Sequence, residues 1–165
     1  MIISHCHWDH LNGLKYFPHA KCYVQRDDME KWLAVMGRET FPVTHKTVID
    51  MESLELLKRW SDEGRVTLLD GDVDDLLPDL HIRKAVGHSF AQNLVFLETD
   101  QGHFALIGDA AMRPESFRGN EAFPCYLPNL KFSVGTIEDI TTSYDKIMAW
   151  VGGNVDHIYM SHDGT

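Results

Sequence analysis

Four strand-like runs in this chain each end on a residue able to bind a metal, and that repetition limits the folds open to it. Ile2-Ile3-Ser4 runs into His5, the run ending Ala85-Val86-Gly87 into His88, Phe104 to Gly108 into Asp109, and His157 to Ser161 into His162. Strand ends on one edge of a sheet converge in space, so a sheet aligning these runs gathers chemistry from the whole chain at one place. The first cluster is the densest: HCHWDH (5–10) packs His5, His7, Asp9 and His10 into six residues. Even with ten histidines in 165 residues, composition alone does not produce that spacing. Alternate residues of extended backbone face one way, so His5 and His7 point together and Cys6 points away as a packed thiol. Asp9 and His10 follow the turn and reach a second point nearby. Trp8 is expected to pack beneath the loop, with lining the pocket as the alternative.

The donor types define the chemistry. His5, His7 and His88 fill three positions of one tetrahedral site. Asp9, His10 and His162 serve a second, and Asp109 bridges the two with its pair of oxygens. Imidazole and carboxylate without thiolate suit Zn, Fe or Mn. Two such cations about 3.5–4 Å apart bring a shared water towards neutral pKa and polarise the bond it attacks. The other histidines, His19, His45, His81, His103 and His157, lack such contexts and are expected on the surface or behind the ligands.

The intervening sequence reads as one mixed α/β (α+β) domain over residues 1–165. Strands are predicted at 20–25, 65–71, 80–88, 93–99 and 103–109, with a final strand from 155 that runs into a loop, and with Asp100-Gln101-Gly102 as a hairpin turn. Helices are predicted at 26–36, from the spacing of Met29, Trp32, Leu33 and Met36, and at 51–64, with Leu54, Leu57 and Trp60 inward and Gly64 as the stop. A third covers 136–150, opened by a capping box of Thr136 and Asp139. Residues 110–135 form a long loop, and loops of that length tend to be functional. With segment 37–50 it is expected to shape a substrate pocket; Phe41, Phe117, Phe123 and Tyr126 are candidates for its lining, but aromatics in loops more often pack locally, and that is the expectation for them.

A formal net charge of −10 disfavours nucleic acid as a partner. No apolar run reaches the roughly 20 residues that span a bilayer, and no secretory leader is seen, so no membrane partner is expected. Cys6, Cys22 and Cys125 show no pairing pattern, which fits reduced thiols in a cytoplasm.

These residues resemble the motifs of the metallo-β-lactamase superfamily over nearly the whole chain. HCHWDH (5–10) matches HxHxDH, GHS (87–89) the GH[ST] element, GDAA (108–111) the bridging aspartate and SHD (161–163) the last histidine. The resemblance implies an αββα sandwich with a binuclear site at one edge and two divalent metal ions, zinc first, with Fe or Mn as alternatives. It implies a hydrolase in which a solvent hydroxide attacks an ester, lactone or thioester carbonyl of a small molecule, with Asp109 holding the site and Asp9 or a metal-bound water protonating the leaving group. GDAAMRPESFRG looks nearest to the N-acyl-homoserine lactonase-like members. A phosphodiesterase, a mononuclear iron dioxygenase of the same fold, or an inactive metal-binding remnant are the alternatives.

Three departures accompany the likeness. Only Met1 to Ser4 precede HxHxDH where the family carries several strands, so the domain is expected to lack part of its amino-terminal sheet. An apolar sheet face left open in that way calls for a second copy or a separate amino-terminal segment to cover it. Met112 stands where lactonase relatives place a tyrosine, and the turn that often reads GH[ST]PG is GHSFAQ here. The last two changes touch substrate handling rather than metal binding.

Overall fold

The computed structural model describes residues 1–119, 125–128, 130 and 132–162. Its elements run β1 (Cys22–Gln25), α2 (Arg26–Met36) and α4 (Met51–Asp62) in the first third, preceded by the short helix α1 (Trp8–Leu11), with α3 (Val43–Lys46) between α2 and α4. Then follow β2 (Val66–Leu69), β3 (Val73–Leu77), β4 (Leu80–Ala85), β5 (Gln92–Thr99), β6 (Gly102–Leu106), α5 (Glu115–Arg118), α6 (Ile137–Trp150) and β7 (Ile158–Tyr159).

Two sheets result. β1 and β2 pair in parallel; β3-β4-β5-β6-β7 form the larger sheet, antiparallel except for the parallel β6–β7 pair. Met29, Trp32, Leu54, Leu57 and Trp60 from α2 and α4 bury their apolar stripes together with Cys22 and Val24 of the small sheet. On the far side, Ile140, Tyr144 and Ile147 of α6 cover Ala85, Leu94, Phe96 and Ala105 of the large sheet. The two sheets meet at a polar seam, where Gln25 Nε2 of β1 donates to Asn93 Oδ1 of β5 at 3.0 Å. The layers therefore stack helix, sheet, sheet, helix.

Local signals explain the helix ends. Thr136 Oγ1 accepts from Asp139 N and Asp139 Oδ2 accepts from Thr136 N, so the capping box is present. Asp50 opens α4 by accepting from Ser53 N at 3.0 Å, and Gly64, at φ +73°, follows its last turn.

Several expectations change. The HCHWDH segment is a loop only as far as His7; α1 takes over from Trp8. Ile2 makes a single bridge to Tyr23 rather than a strand, and the last strand is confined to Ile158–Tyr159. Strand β3 has no counterpart in the sequence reading. It is an edge strand carrying Asp74 and Asp75 outward, so it lacks an apolar alternation and shows charges of the kind that protect sheet edges. On the large sheet's other face the cross-strand pairs Leu97/Phe104, Val95/Leu106 and Leu106/Tyr159 are only partly covered, with Leu106 43% and Tyr159 58% exposed. Among the described residues no helix is long and apolar enough to cross a membrane.

Candidate metal centre

The four strand ends do meet. His5 and His7 leave the bridge at Ile2, and Asn93 N of β5 pins that segment by donating to Ser4 O at 2.8 Å. His88 follows β4 on a turn whose backbone needs glycine. Gly87 sits at φ +147°, and a Cβ there would lie 2.7 Å from Ile140 Cγ1. Asp109 follows β6, and Ser161 N donates to Gly108 O, which sets His162 beside it.

Two groups of donors form. Ligand atoms of His5, His7 and His88 lie within 4.8 Å of one another, and so do those of Asp9, His10, Asp109 and His162. Asp109 spans both groups: its Oδ2 is 3.4 Å from His88 Nε2 and 3.3 Å from His162 Nε2, while Oδ1 is 3.2 Å from His10 Nε2. Asp9 Oδ2 reaches His162 Nε2 at 3.1 Å.

Burial sets the protonation states. His5, His7 and His88 are buried, and desolvation, reinforced by neighbouring imidazoles, holds all three below the ordinary histidine value, His7 down to about 3. They are therefore neutral, with a lone pair free. Burial alone would raise Asp109, but the facing His10, His88 and His162 outweigh it and keep the carboxyl below its usual range.

The fit to cations rests on atoms left without partners. His5 Nε2, His7 Nε2 and both ring nitrogens of His88 are buried and form no hydrogen bond, and His10 Nε2 and Asp109 Oδ1 have only each other within hydrogen-bond distance, at 3.2 Å. A buried unsatisfied polar atom costs about 1–3 kcal/mol, so four in one cluster need an explanation. A divalent cation held by these donors would supply it.

Behind the ligands lies a network that the sequence reading missed. Asp28, fully buried in the first turn of α2, accepts from Cys6 N at 2.7 Å, Ala91 N at 3.0 Å and Ser89 Oγ at 2.5 Å. Trp32 Nε1 donates to Ser89 Oγ at 2.8 Å. One carboxylate thus ties the His5–His7 segment to the turn that carries His88. Ser4 Oγ lies 3.3 Å from His5 Nδ1 and 3.1 Å from His10 Nδ1, linking the two groups from behind. Such partners fix ring orientation and tautomer. Cys6 itself is fully buried in the core, its thiol pushed up by desolvation and by Asp28.

A pocket of about 360 Å³ opens over the cluster. Trp8, Val48, Met112 and Phe132 form its apolar wall, and His7, Asp9, His88, Asp109 and His162 its polar floor. Trp8 is therefore not beneath the loop: it is half-exposed and lines the pocket, because α1 turns it outward. The described loop aromatics pack locally, away from this wall. Phe41 packs on Trp32, Phe117 on Tyr144, and Tyr126 O–H donates to Asp145, while Phe123 lies outside the described residues. Of the remaining histidines, His81 is neither at the surface nor behind the ligands; it is buried against Trp150 with Glu98 3.2 Å away.

Two packed sheets flanked by helices, with a histidine–aspartate centre at the strand ends, define the class of metal-centred αββα proteins. The family comparison makes it specific: residues 1–152 match the model of the metallo-beta-lactamase superfamily, and the chain belongs to that superfamily. Solved structures share the fold. A mutant of AiiA from B. thuringiensis, with N-decanoyl-L-homoserine bound, is 23% identical with a TM-score of 0.60, over 96% of this chain and 53% of that one. A probable metal-dependent hydrolase from Staphylococcus aureus is 14% identical, TM-score 0.62, over 96% and 52%. AidC, a dizinc quorum-quenching lactonase, is 14% identical, TM-score 0.60, over 90% and 51%. The chain spans about half the length of these structures. No curated protein matches the sequence.

Proposed function

We propose that this chain carries the centre of a metal-dependent hydrolase that opens an ester, lactone or thioester carbonyl of a small molecule. The observation that carries the reading is the set of buried, unpartnered ligand atoms aimed into one cluster. His5, His7 and His88 would hold one divalent cation, and Asp9, His10 and His162 the other, with Asp109 between them. When bound, such ions acidify water and polarise a carbonyl. The remaining chemistry belongs to side chains. Asp109, held ionised by His10, His88 and His162, keeps its two oxygens turned to the two groups. Asp9 lines the pocket, where its carboxylate takes up the proton released by the attacking water and passes it to the leaving oxygen. Met112, which has no proton to give, leaves that delivery to Asp9. Trp8, Val48 and Phe132 shield one side from water. A mononuclear iron site needs the first group alone, so the second complete group supports two cations.

The test combines metal analysis with a screen of lactones, thioesters, esters and phosphoesters on metal-loaded protein. About two divalent ions per chain and turnover of a carbonyl substrate are expected. His7→Ala and Asp109→Ala should each lower metal content and reduce turnover by about 100-fold or more. Full turnover in either variant would refute the mechanism.

A further inference from the structure

The metal pocket continues past His162. Met112 and His162, which line it, also line a second cavity of about 910 Å³, walled by residues 112–115, by Arg118 and by Ile158, Tyr159 and Met160. A substrate with its reacting carbonyl among the imidazoles therefore has room for two arms. The smaller meets Trp8, Val48 and Phe132; the larger enters this groove.

The charges in the groove are unequal in their freedom. Arg118 is neutralised by an ion pair with Asp156. Glu115 is the first residue of α5, where a carboxylate is favoured by the free amides of the opening turn. Arg113 is exposed on the groove wall and forms no ion pair or side-chain hydrogen bond among the described residues. An uncompensated guanidinium is the natural partner of a planar anion, which it grips through two parallel N–H donors. On a chain with net charge −10, it is also a local exception to a field that repels anions.

We propose that Arg113 binds a carboxylate or phosphate on the larger substrate arm, which makes acidic esters or thioesters, rather than uncharged lactones, the substrate class of this centre. The inference rests on the hydrolase reading above, and its test separates the two. On metal-loaded protein, kcat/KM is measured for 4-acetoxybenzoate and for neutral phenyl acetate. Calorimetry on the same protein measures binding of the unreactive amides 4-acetamidobenzoate and 4-acetamidophenyl phosphate against neutral acetanilide. The acidic ester and at least one acidic amide should be preferred by about tenfold or more, the size of a lost charge-assisted contact. Arg113→Gln should reduce both preferences by about that factor, Arg113→Lys should restore part, and the remote Arg59→Gln should leave them alone. Equal handling of acidic and neutral compounds, or preferences that survive Arg113→Gln, would overturn the assignment. Loss of all metal-dependent turnover with an Arg113-dependent amide preference would instead sink the hydrolase reading and keep the groove.

Discussion

Asp28→Asn changes the chain by one atom at a position that touches no proposed ligand, and it tests whether the metal centre is held from behind. The carboxylate receives three donors: Cys6 N on Oδ2, and Ser89 Oγ and Ala91 N on Oδ1. An amide keeps one oxygen. Its cheaper orientation leaves that oxygen with Ser89 and Ala91 and turns NH₂ towards the Cys6 N–H, donor against donor. The loss is one charge-assisted hydrogen bond, worth about 1.5–3 kcal/mol, plus a buried amide left unpaired. Part returns because a carboxylate no longer has to be desolvated; burial already pushes the Asp28 carboxyl up. A net loss of about 2–3 kcal/mol follows, or about 4–12 °C in Tm for a chain of this size.

The same latch orients His5 and His7, since Cys6 lies between them. Removing a partner behind metal ligands costs about 10–100-fold in affinity, which matches the free energy just estimated. Thermal denaturation of metal-free protein and zinc competition against a chromophoric chelator read the two effects separately. The control is Asp27→Asn next door, whose carboxylate pairs with Lys84 at 2.6 Å on the surface. It should cost about 1 kcal/mol or less and leave affinity unchanged. Wild-type zinc affinity in Asp28→Asn would refute the latch, as would equal effects of the two substitutions.

Acid should destabilise the metal-free protein. His5, His7 and His88 are held below 6.5, so between that value and their folded values the unfolded chain binds more protons and stability falls as pH drops. The slope reaches about 1.4 kcal/mol per pH unit for each histidine. Burial also lowers His10, but the charges of Asp109 and Asp9 outweigh it, so its contribution has the opposite sign and is lost as pH rises through its raised value. Metal-free Tm should fall steeply below about pH 6.5, and a profile level down to pH 4 would contradict the neutral cluster. Gly87→Ala should cost about 2 kcal/mol or more, because its Cβ meets Ile140 Cγ1 at 2.7 Å. Ile140→Ala removes that atom, so the double variant should lose less than the sum of the singles; strict additivity in a thermal-melt cycle would place the strain elsewhere.

The strand ends were legible because each is local: an apolar run, a turn, and a donor immediately after it. Helices α2, α4 and α6 were legible for the same reason, from apolar spacing and caps within a few residues of each end. What stayed hidden depends on contacts between distant segments. Asp28 sits in the first turn of a helix, where an acidic residue is adequately explained by the free amides beside it. Its partners Cys6, Ser89 and Ala91 lie 22, 61 and 63 residues away, and no local pattern marks them. Trp8 shows the reverse failure. Alternation in extended backbone holds through His7 and then stops, because α1 starts one residue later and rotates Trp8 to the pocket side. Aromatics in long loops are better explained by local packing than by a pocket, and Phe41 and Phe117 do pack on α2 and α6. The pocket wall does draw on the two segments expected to shape it, Val48 from 37–50 and Met112 and Phe132 from 110–135, but local sequence does not single out which of their residues face it. Donor chemistry is thus written in short motifs, while the residues that hold the donors still and select the substrate are brought to them only by the packing of two sheets.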